Sequence, residues 1–226
     1  MKTLVLGCGK TGSLVAEVAR SCGHTVETLD GAQNPHASAL TAKFVNDFDV
    51  VIDFTTPQAV VENIDACARL GKNLVVGTTG WHGDLPKVRE AVERCGTGLV
   101  YGTNFSIGVN LFFETARTIA AALQHKYSGQ IFERHHAQKK DAPSGTALSL
   151  QRVIKDASSH ELEITSFREG EVVGMHELVL DSPNDTLYLC HDSKSRRGFA
   201  EGAVRAAEWV RGKKGLFDFR DIWREV

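Results

Sequence analysis

Residues 3–12 read Thr3-Leu4-Val5-Leu6-Gly7-Cys8-Gly9-Lys10-Thr11-Gly12. A short apolar run enters a G-x-G-x-x-G loop, after which Leu14, Val15, Val18 and Ala19 fall on one helical face. Strand, glycine loop and helix in that order form the context in which the string reads as a dinucleotide fingerprint. Gly7 makes the tight turn, Gly9 lets backbone approach a pyrophosphate, and Gly12 lets helix pack closely on strand. The stretch sets the first part of the fold class: α/β, a Rossmann-type doubly wound parallel sheet. Gly7, Cys8, Gly9, Lys10, Thr11 and Gly12 are the expected cofactor loop.

The pattern continues outward from that loop. Thr25 to Leu29 reads as a second strand ending in Asp30. An acidic residue about 20 positions beyond the loop, at a strand end, suits the ribose hydroxyls of a bound adenosine. Gly31 to Asn46 is short and polar. Val50 to Phe54 is apolar except for Asp53, and Pro57 then sits in the first turn of a helix. Leu74 to Val76 runs into Gly77-Thr78-Thr79-Gly80, and Leu99 to Gly102 runs into Thr103-Asn104-Phe105-Ser106. Strand ends of this kind lie at the carboxyl edge of a doubly wound sheet, where ligands bind. Asp30, Gly77, Thr78, Thr79, Gly102, Thr103, Asn104 and Phe105 therefore join the expected cofactor residues.

After a helical run, Val109 to Leu123, the alternation gives way to strands at Ile131–Arg134, Glu163–Arg168, Val172–Leu180 and Thr186–Leu189. The expected second domain is mixed α/β with a largely antiparallel sheet. It spans residues 106–199, for substrate binding and oligomerisation. Residues 1–105 and 200–226 form the dinucleotide-binding domain.

Composition narrows the function classes. Of 226 residues, 42% are hydrophobic and 24% charged, with a formal net charge of -2. That balance points to neither nucleic-acid nor membrane partners. Five cysteines lie scattered without a C-x-x-C pair, which fits reduced thiols and a cytoplasmic location. The N-terminus is too short for a signal peptide, and no apolar run approaches a membrane span.

The chemistry concentrates in Glu133 to Ala147, E-R-H-H-A-Q-K-K-D-A-P-S-G-T-A. Histidine exchanges protons near neutral pH, and lysine holds a carboxylate or donates a proton. Pro143 keeps a helix from starting before it, and Ser144 is a good N-cap. Gly145 and Thr146 would then open a helix whose free amides and dipole suit an anion. The run reads as a carboxylate cradle beside a proton donor. No metal is expected, since adjacent histidines diverge and no Cys or third His lies nearby in the sequence.

This run resembles the E-x-H-H-x-x-K-x-D-A-P-S-G-T-A signature of the dihydrodipicolinate reductase (4-hydroxy-tetrahydrodipicolinate reductase) family, and every fixed position is present. D-F-T at Asp53, G-T-T-G at Gly77, N-F-S-x-G at Asn104 and the S-R-x-x-F-A-x-G-A-V-R-A-A run from Ser195 are similar to that family too. The glycine loop departs slightly, being more often G-x-x-G-x-x-G there, and the segment after Asp30 is shorter. The resemblance implies an NAD(P)H-dependent oxidoreductase of diaminopimelate and lysine biosynthesis, using NADH or NADPH, with a small dicarboxylate substrate and a homotetrameric assembly. It makes His135 the proton donor and acceptor and Lys139 the proton donor. His136, Ser144, Gly145 and Thr146 become substrate contacts, with Arg196 a second carboxylate contact. Asp30 favours NADH. Two other readings share the cofactor half: another Rossmann reductase of an imino or keto acid, and an idle NAD-binding regulator. Neither accounts for the His135–Thr146 run.

Overall fold

In the first sheet all six strands run parallel, in the order β10-β5-β4-β3-β1-β2. The computed structural model describes residues 1–226. In chain order the first elements are β1 (Lys2–Leu6), α1 (Lys10–Ser21), β2 (Thr25–Leu29), α2 (Ala42–Val45), β3 (Val50–Asp53), α3 (Pro57–Arg69), β4 (Asn73–Val76), α4 (Leu85–Cys95) and β5 (Gly98–Tyr101). Then come α5 (Ile107–Ile119), β6 (Ser128–His135), α6 (Gly145–Ser158), β7 (Glu163–Arg168), β8 (Met175–Asp181) and β9 (Thr186–Asp192). The tail carries α7 (Arg197–Val210), β10 (Gly215–Asp218) and α8 (Phe219–Ile222). Two units result, Met1–Ile107 with Arg197–Val226, and Gly108–Arg196.

In the first unit both sheet faces are buried, which is why its strands read as nearly unbroken apolar runs. Val5, Val50, Ile52, Val75 and Val100 face α1, α7 and α8. Leu4, Leu6, Val51, Leu74, Val76 and Leu99 face α3 and α4. The order doubles back beside β1, which joins β2 on one side and β3 on the other. That reversal opens a crevice at the carboxyl ends of β1 and β3, the usual ligand position. Residues 31–49 hold only a short turn of 3₁₀ helix, Pro35–Ala37, and α2. They add no strand, so β2 is left as the sheet edge.

The second unit is a four-stranded sheet, β7-β6-β8-β9. β6 runs parallel to β7 across the α6 crossover, and the other two pairings are antiparallel. Its inner face packs Ile131, Leu178 and Leu180 on Phe112, Leu150 and Ile154 of α5 and α6. Several strand limits differ from the sequence reading, and two of them bear on the site. β6 extends through His135, and β8 begins at Met175 rather than Val172. Gly174 instead presses on His135, and a Cβ there would lie 3.0 Å from the ring Nε2. No helix is long and apolar enough to cross a membrane.

Candidate functional site

The glycine loop is built as its spacing requires. Gly7 has φ +95, and a Cβ on it would sit 2.3 Å from the Phe54 carbonyl oxygen. A Cβ on Gly12 would sit 1.9 Å from the Gly7 carbonyl oxygen. Gly9 is the N-cap of α1, with no side chain closing that end and nothing within 4 Å of its added Cβ. Cys8, Gly9 and Lys10 are exposed and Thr11 half-buried. A strand–turn–helix with an open, uncapped helix start fits a pyrophosphate. Asp30 stands at the end of β2, where its Oδ1 accepts from Gln33 N (2.8 Å) and its own N–H donates to Gln33 Oε1 (3.1 Å).

The neighbouring strand ends hold a buried polar network that the sequence signalled only through Asp53. Its carboxylate accepts from Thr55 N and Oγ1, Thr78 Oγ1 and Asn63 Nδ2 at 2.7–2.9 Å. Burial pushes its pKa up, and those donors oppose the rise. Asn34 donates to Asn63 Oδ1 and accepts from Ala39 N, which ties the 31–49 segment to β3. Two expected cofactor residues thus turn their side chains inward. The Thr78 hydroxyl is spent on Asp53, and the Phe105 ring is buried against Phe219 at 4.7 Å. Gly102 is buried under Phe219 and Phe105, whereas Thr79 and Thr103 are exposed. Gly77 lies against the Phe54 ring, and Asn104 Oδ1 accepts from Ser106 N.

In the second unit, strand alternation puts Glu133 and His135 on the same inner face of β6. The antiparallel register sets His176 of β8 opposite Glu133, and the parallel register sets Arg168 of β7 beside His135. Glu133 is fully buried. Its Oε1 accepts from Arg168 Nη2 (2.6 Å) and Ser144 N (3.3 Å). His135 Nδ1 lies 2.6 Å from Glu133 Oε2, close but poorly aligned for a hydrogen bond. Burial alone would raise the Glu133 pKa, but Arg168, Ser166, His135 and Ser144 together pull it down to about 2. Burial also lowers the His135 pKa; Glu133 resists, while Lys139 and Arg168 add to the lowering.

Ser144 caps α6, as its position in the sequence suggested, accepting from Ala147 N at 3.2 Å. Its Oγ also lies 3.0 Å from His176 Nε2. With both amide and hydroxyl engaged inside the protein, Ser144 anchors the helix start. Gly145 is exposed and Thr146 half-buried at that start. Arg168 Nη2 also donates to the Asp141 carbonyl (2.7 Å), pinning the loop between β6 and α6. On that loop Lys139 Nζ donates to both Asp141 carboxylate oxygens, at 2.7 and 3.0 Å, and this lysine lowers the Asp141 pKa. His136 is half-buried, with Nδ1 unpartnered. Arg196 is exposed and takes no part in the Glu133 cluster.

The sequence reading missed Arg168 and His176. The available signal was a charged or polar residue at an inward position of a strand whose neighbours are apolar. Glu133, His135 and His176 bring ligand atoms within 4.8 Å of one another. The Arg168 guanidinium already neutralises Glu133, so the trio is an ion-pair network and a poor cation site.

His176 is buried, and burial first, then the His135 charge, lowers its pKa to about 4. Its folded pKa lies below the unfolded 6.5, so its contribution to stability is complete above pH 6.5 and is lost as pH falls toward 4. Between pH 7 and 5 this amounts to about 2 kcal/mol at roughly 1.4 kcal/mol per pKa unit. Urea unfolding at the two pH values should show a loss in His176→Gln that is smaller than the wild type's by about that amount. Equal pH dependence in both proteins would refute it.

Two family models match nearly the whole chain: "Dihydrodipicolinate reductase, N-terminus" over residues 1–105 and "Dihydrodipicolinate reductase, C-terminus" over residues 108–223. The chain is 37% identical over 243 residues to the 4-hydroxy-tetrahydrodipicolinate reductase of Christiangramia forsetii, covering 100% of this chain and 99% of that one. It is 38% identical over 196 residues to the enzyme of the same name from Neisseria meningitidis serogroup A, covering 77% and 72%. Among solved structures it superposes on a dipicolinate-bound dihydrodipicolinate reductase from Paenisporosarcina sp. TG-14 with a TM-score of 0.82, at 24% identity over 98% of this chain and 99% of that one. A probable dehydrogenase from Thermotoga maritima shares the fold at a TM-score of 0.59 and 11% identity, over 98% and 92% of the two chains.

Proposed function

The chain belongs to the dihydrodipicolinate reductase family, and from that premise we propose how its own residues divide the work. The activity is NAD(P)H-dependent reduction of 4-hydroxy-tetrahydrodipicolinate to tetrahydrodipicolinate, in the diaminopimelate route to lysine. Loss of the 4-hydroxyl as water leaves a ring carbon conjugated with the imine, and the reduced nicotinamide, when bound, would supply a hydride to that carbon. Negative charge then develops on the ring and has to be met by a proton.

Gly7 to Gly12 hold the pyrophosphate on the amides of α1, and Asp30 takes the adenosine ribose. Gly77, Thr79, Thr103 and Asn104 lie toward the nicotinamide, with Thr78, Gly102 and Phe105 shaping that wall from behind. His135 exchanges the proton and Lys139 donates one. His136, Gly145 and Thr146 bind the substrate carboxylates. The observation that carries this reading is the joining of His135, Lys139 and an open helix start by one loop, pinned through Arg168. A dicarboxylate needs cations and free amides, and a developing carbanion needs an acid. The buried Ser144 supports the helix start.

NADH is the preferred cofactor. The Asp30 carboxylate can accept hydrogen bonds from both ribose hydroxyls, whereas a 2′-phosphate there meets like charge. At about 4 Å such a pair costs roughly 1 kcal/mol in water and about 4 kcal/mol at an effective dielectric near 20. The next residues, Gly31, Ala32 and Gln33, bring no cation. Oxidation of NADH and NADPH, with and without the dicarboxylate generated by its synthase, tests the reading. We expect oxidation only with substrate and a catalytic efficiency at least about tenfold higher with NADH. That ratio should shrink in Asp30→Ala. A wild type favouring NADPH, or an unchanged ratio, removes Asp30 from the ribose.

A homotetramer joined through the sheet of the second unit completes the proposal. The outer sheet face supports it, with Phe167 39% and Tyr188 70% exposed. Five free cysteines support a cytoplasmic setting.

A further inference from the structure

Glu133 has no part in the assignments above, yet its surroundings are those of an orienting group. One carboxylate oxygen is taken by Arg168 Nη2 and Ser144 N. The other, Oε2, is buried and faces His135 Nδ1 at 2.6 Å. Neither of these two atoms has another partner. At that separation an ionised carboxylate and a bare ring nitrogen would repel, so Nδ1 carries a proton. Ring rotation is restricted from both sides. His176 stands edge-on with centroids 5.2 Å apart, and Gly174 approaches Nε2 so closely that an added Cβ would lie 3.0 Å away.

We propose that Glu133 is the positioning residue of this site: it holds His135 in the Nδ1-protonated tautomer, leaving Nε2 to exchange the proton with substrate, while Arg168 and Ser144 fix Glu133. The proposal rests on the reading of His135 as the proton-exchanging group. Its logic is the buried carboxylate that orients a catalytic imidazole and stabilises its cationic form. Four charged or titratable groups face the ring. Glu133 raises its proton affinity, Lys139 and Arg168 lower it, and His176 lies against it.

The direction of the pH effect follows. An acid must be protonated to act, so activity falls as pH rises through the His135 pKa. Removing the Glu133 charge lowers that pKa, so the high-pH limb moves to lower pH. For Glu133→Gln we expect turnover about 10²-fold lower or more, the limb moved by about one pH unit or more, and cofactor affinity unchanged. The double variant Glu133→Gln/Arg168→Met separates orientation from mere charge balance, and it should stay slow. Recovery of wild-type turnover and pH profile in the double variant would reduce Glu133 to a partner for Arg168 and overturn the proposal. A measurement on the wild type needs no variant to fold. In ¹⁵N-histidine-labelled protein, neutral His135 should show a protonated Nδ1 and a bare Nε2, and the reverse tautomer overturns the proposal. His135→Gln, assayed beside these, keeps the two failures apart. Full activity there removes the role of His135 itself, whereas low activity with an unshifted Glu133→Gln profile removes only the role of Glu133.

Discussion

His135→Gln and Lys139→Ala should each lower turnover by about 10²–10⁴-fold, the usual contribution of a general acid or base. The dissociation constant for reduced cofactor should stay near that of the wild type, because the glycine loop belongs to the other unit. The two variants should differ in detail. His135 is enclosed by Glu133, His176 and Gly174, so its loss removes a fixed proton relay. Lys139 is held by Asp141, a partly exposed carboxylate that a substrate carboxylate can displace. Its loss should raise KM for the dicarboxylate as well as lower kcat. Steady-state kinetics with cofactor titration checks both, and near-wild-type turnover in either variant withdraws that residue from the reaction.

Local geometry was legible in the sequence where one short stretch determines it. The glycine loop, the Ser144 cap and the apolar parallel strands each depend on neighbours a few positions away. The 3.6-residue and two-residue periods report such structure directly. The Glu133 network was not legible, because its members meet through strand register. Arg168 reaches Glu133 across a parallel pairing 35 positions long, and His176 arrives through an antiparallel one. No motif spacing encodes either. The inward turn of Thr78 and Phe105 escaped for a related reason. A residue at a strand end can face the ligand or the core, and the buried Asp53 and the Phe219 ring decide which. The short 31–49 segment was visible as a length, but its tie to Asp53 through Asn34 and Asn63 was not.

The glycine loop allows fold and function to be separated by a single added methyl group. Gly12→Ala would drive a Cβ to 1.9 Å from the Gly7 carbonyl oxygen, a backbone atom held in place by a φ of +95 at Gly7. The start of α1 must then lift from β1, at a cost of at least about 1–3 kcal/mol. At roughly 2–4 °C per kcal/mol the melting temperature should drop by several degrees. Gly9→Ala meets no such obstacle. Its φ of -71 and ψ of -177 are ordinary for alanine, and nothing lies within 4 Å of the added carbon. The weaker N-cap costs up to about 1 kcal/mol, and the stiffer unfolded chain offsets about 0.4–1 kcal/mol of it. Stability should therefore be nearly unchanged. The methyl group does occupy the open space above the α1 amides, where a pyrophosphate would come nearest. Cofactor affinity should fall about tenfold or more, a difference of at least about 1.4 kcal/mol. Thermal melts together with fluorescence titration of NADH separate the two effects. A Gly9→Ala protein that melts normally and binds NADH like the wild type would show that the pyrophosphate is not held at this loop.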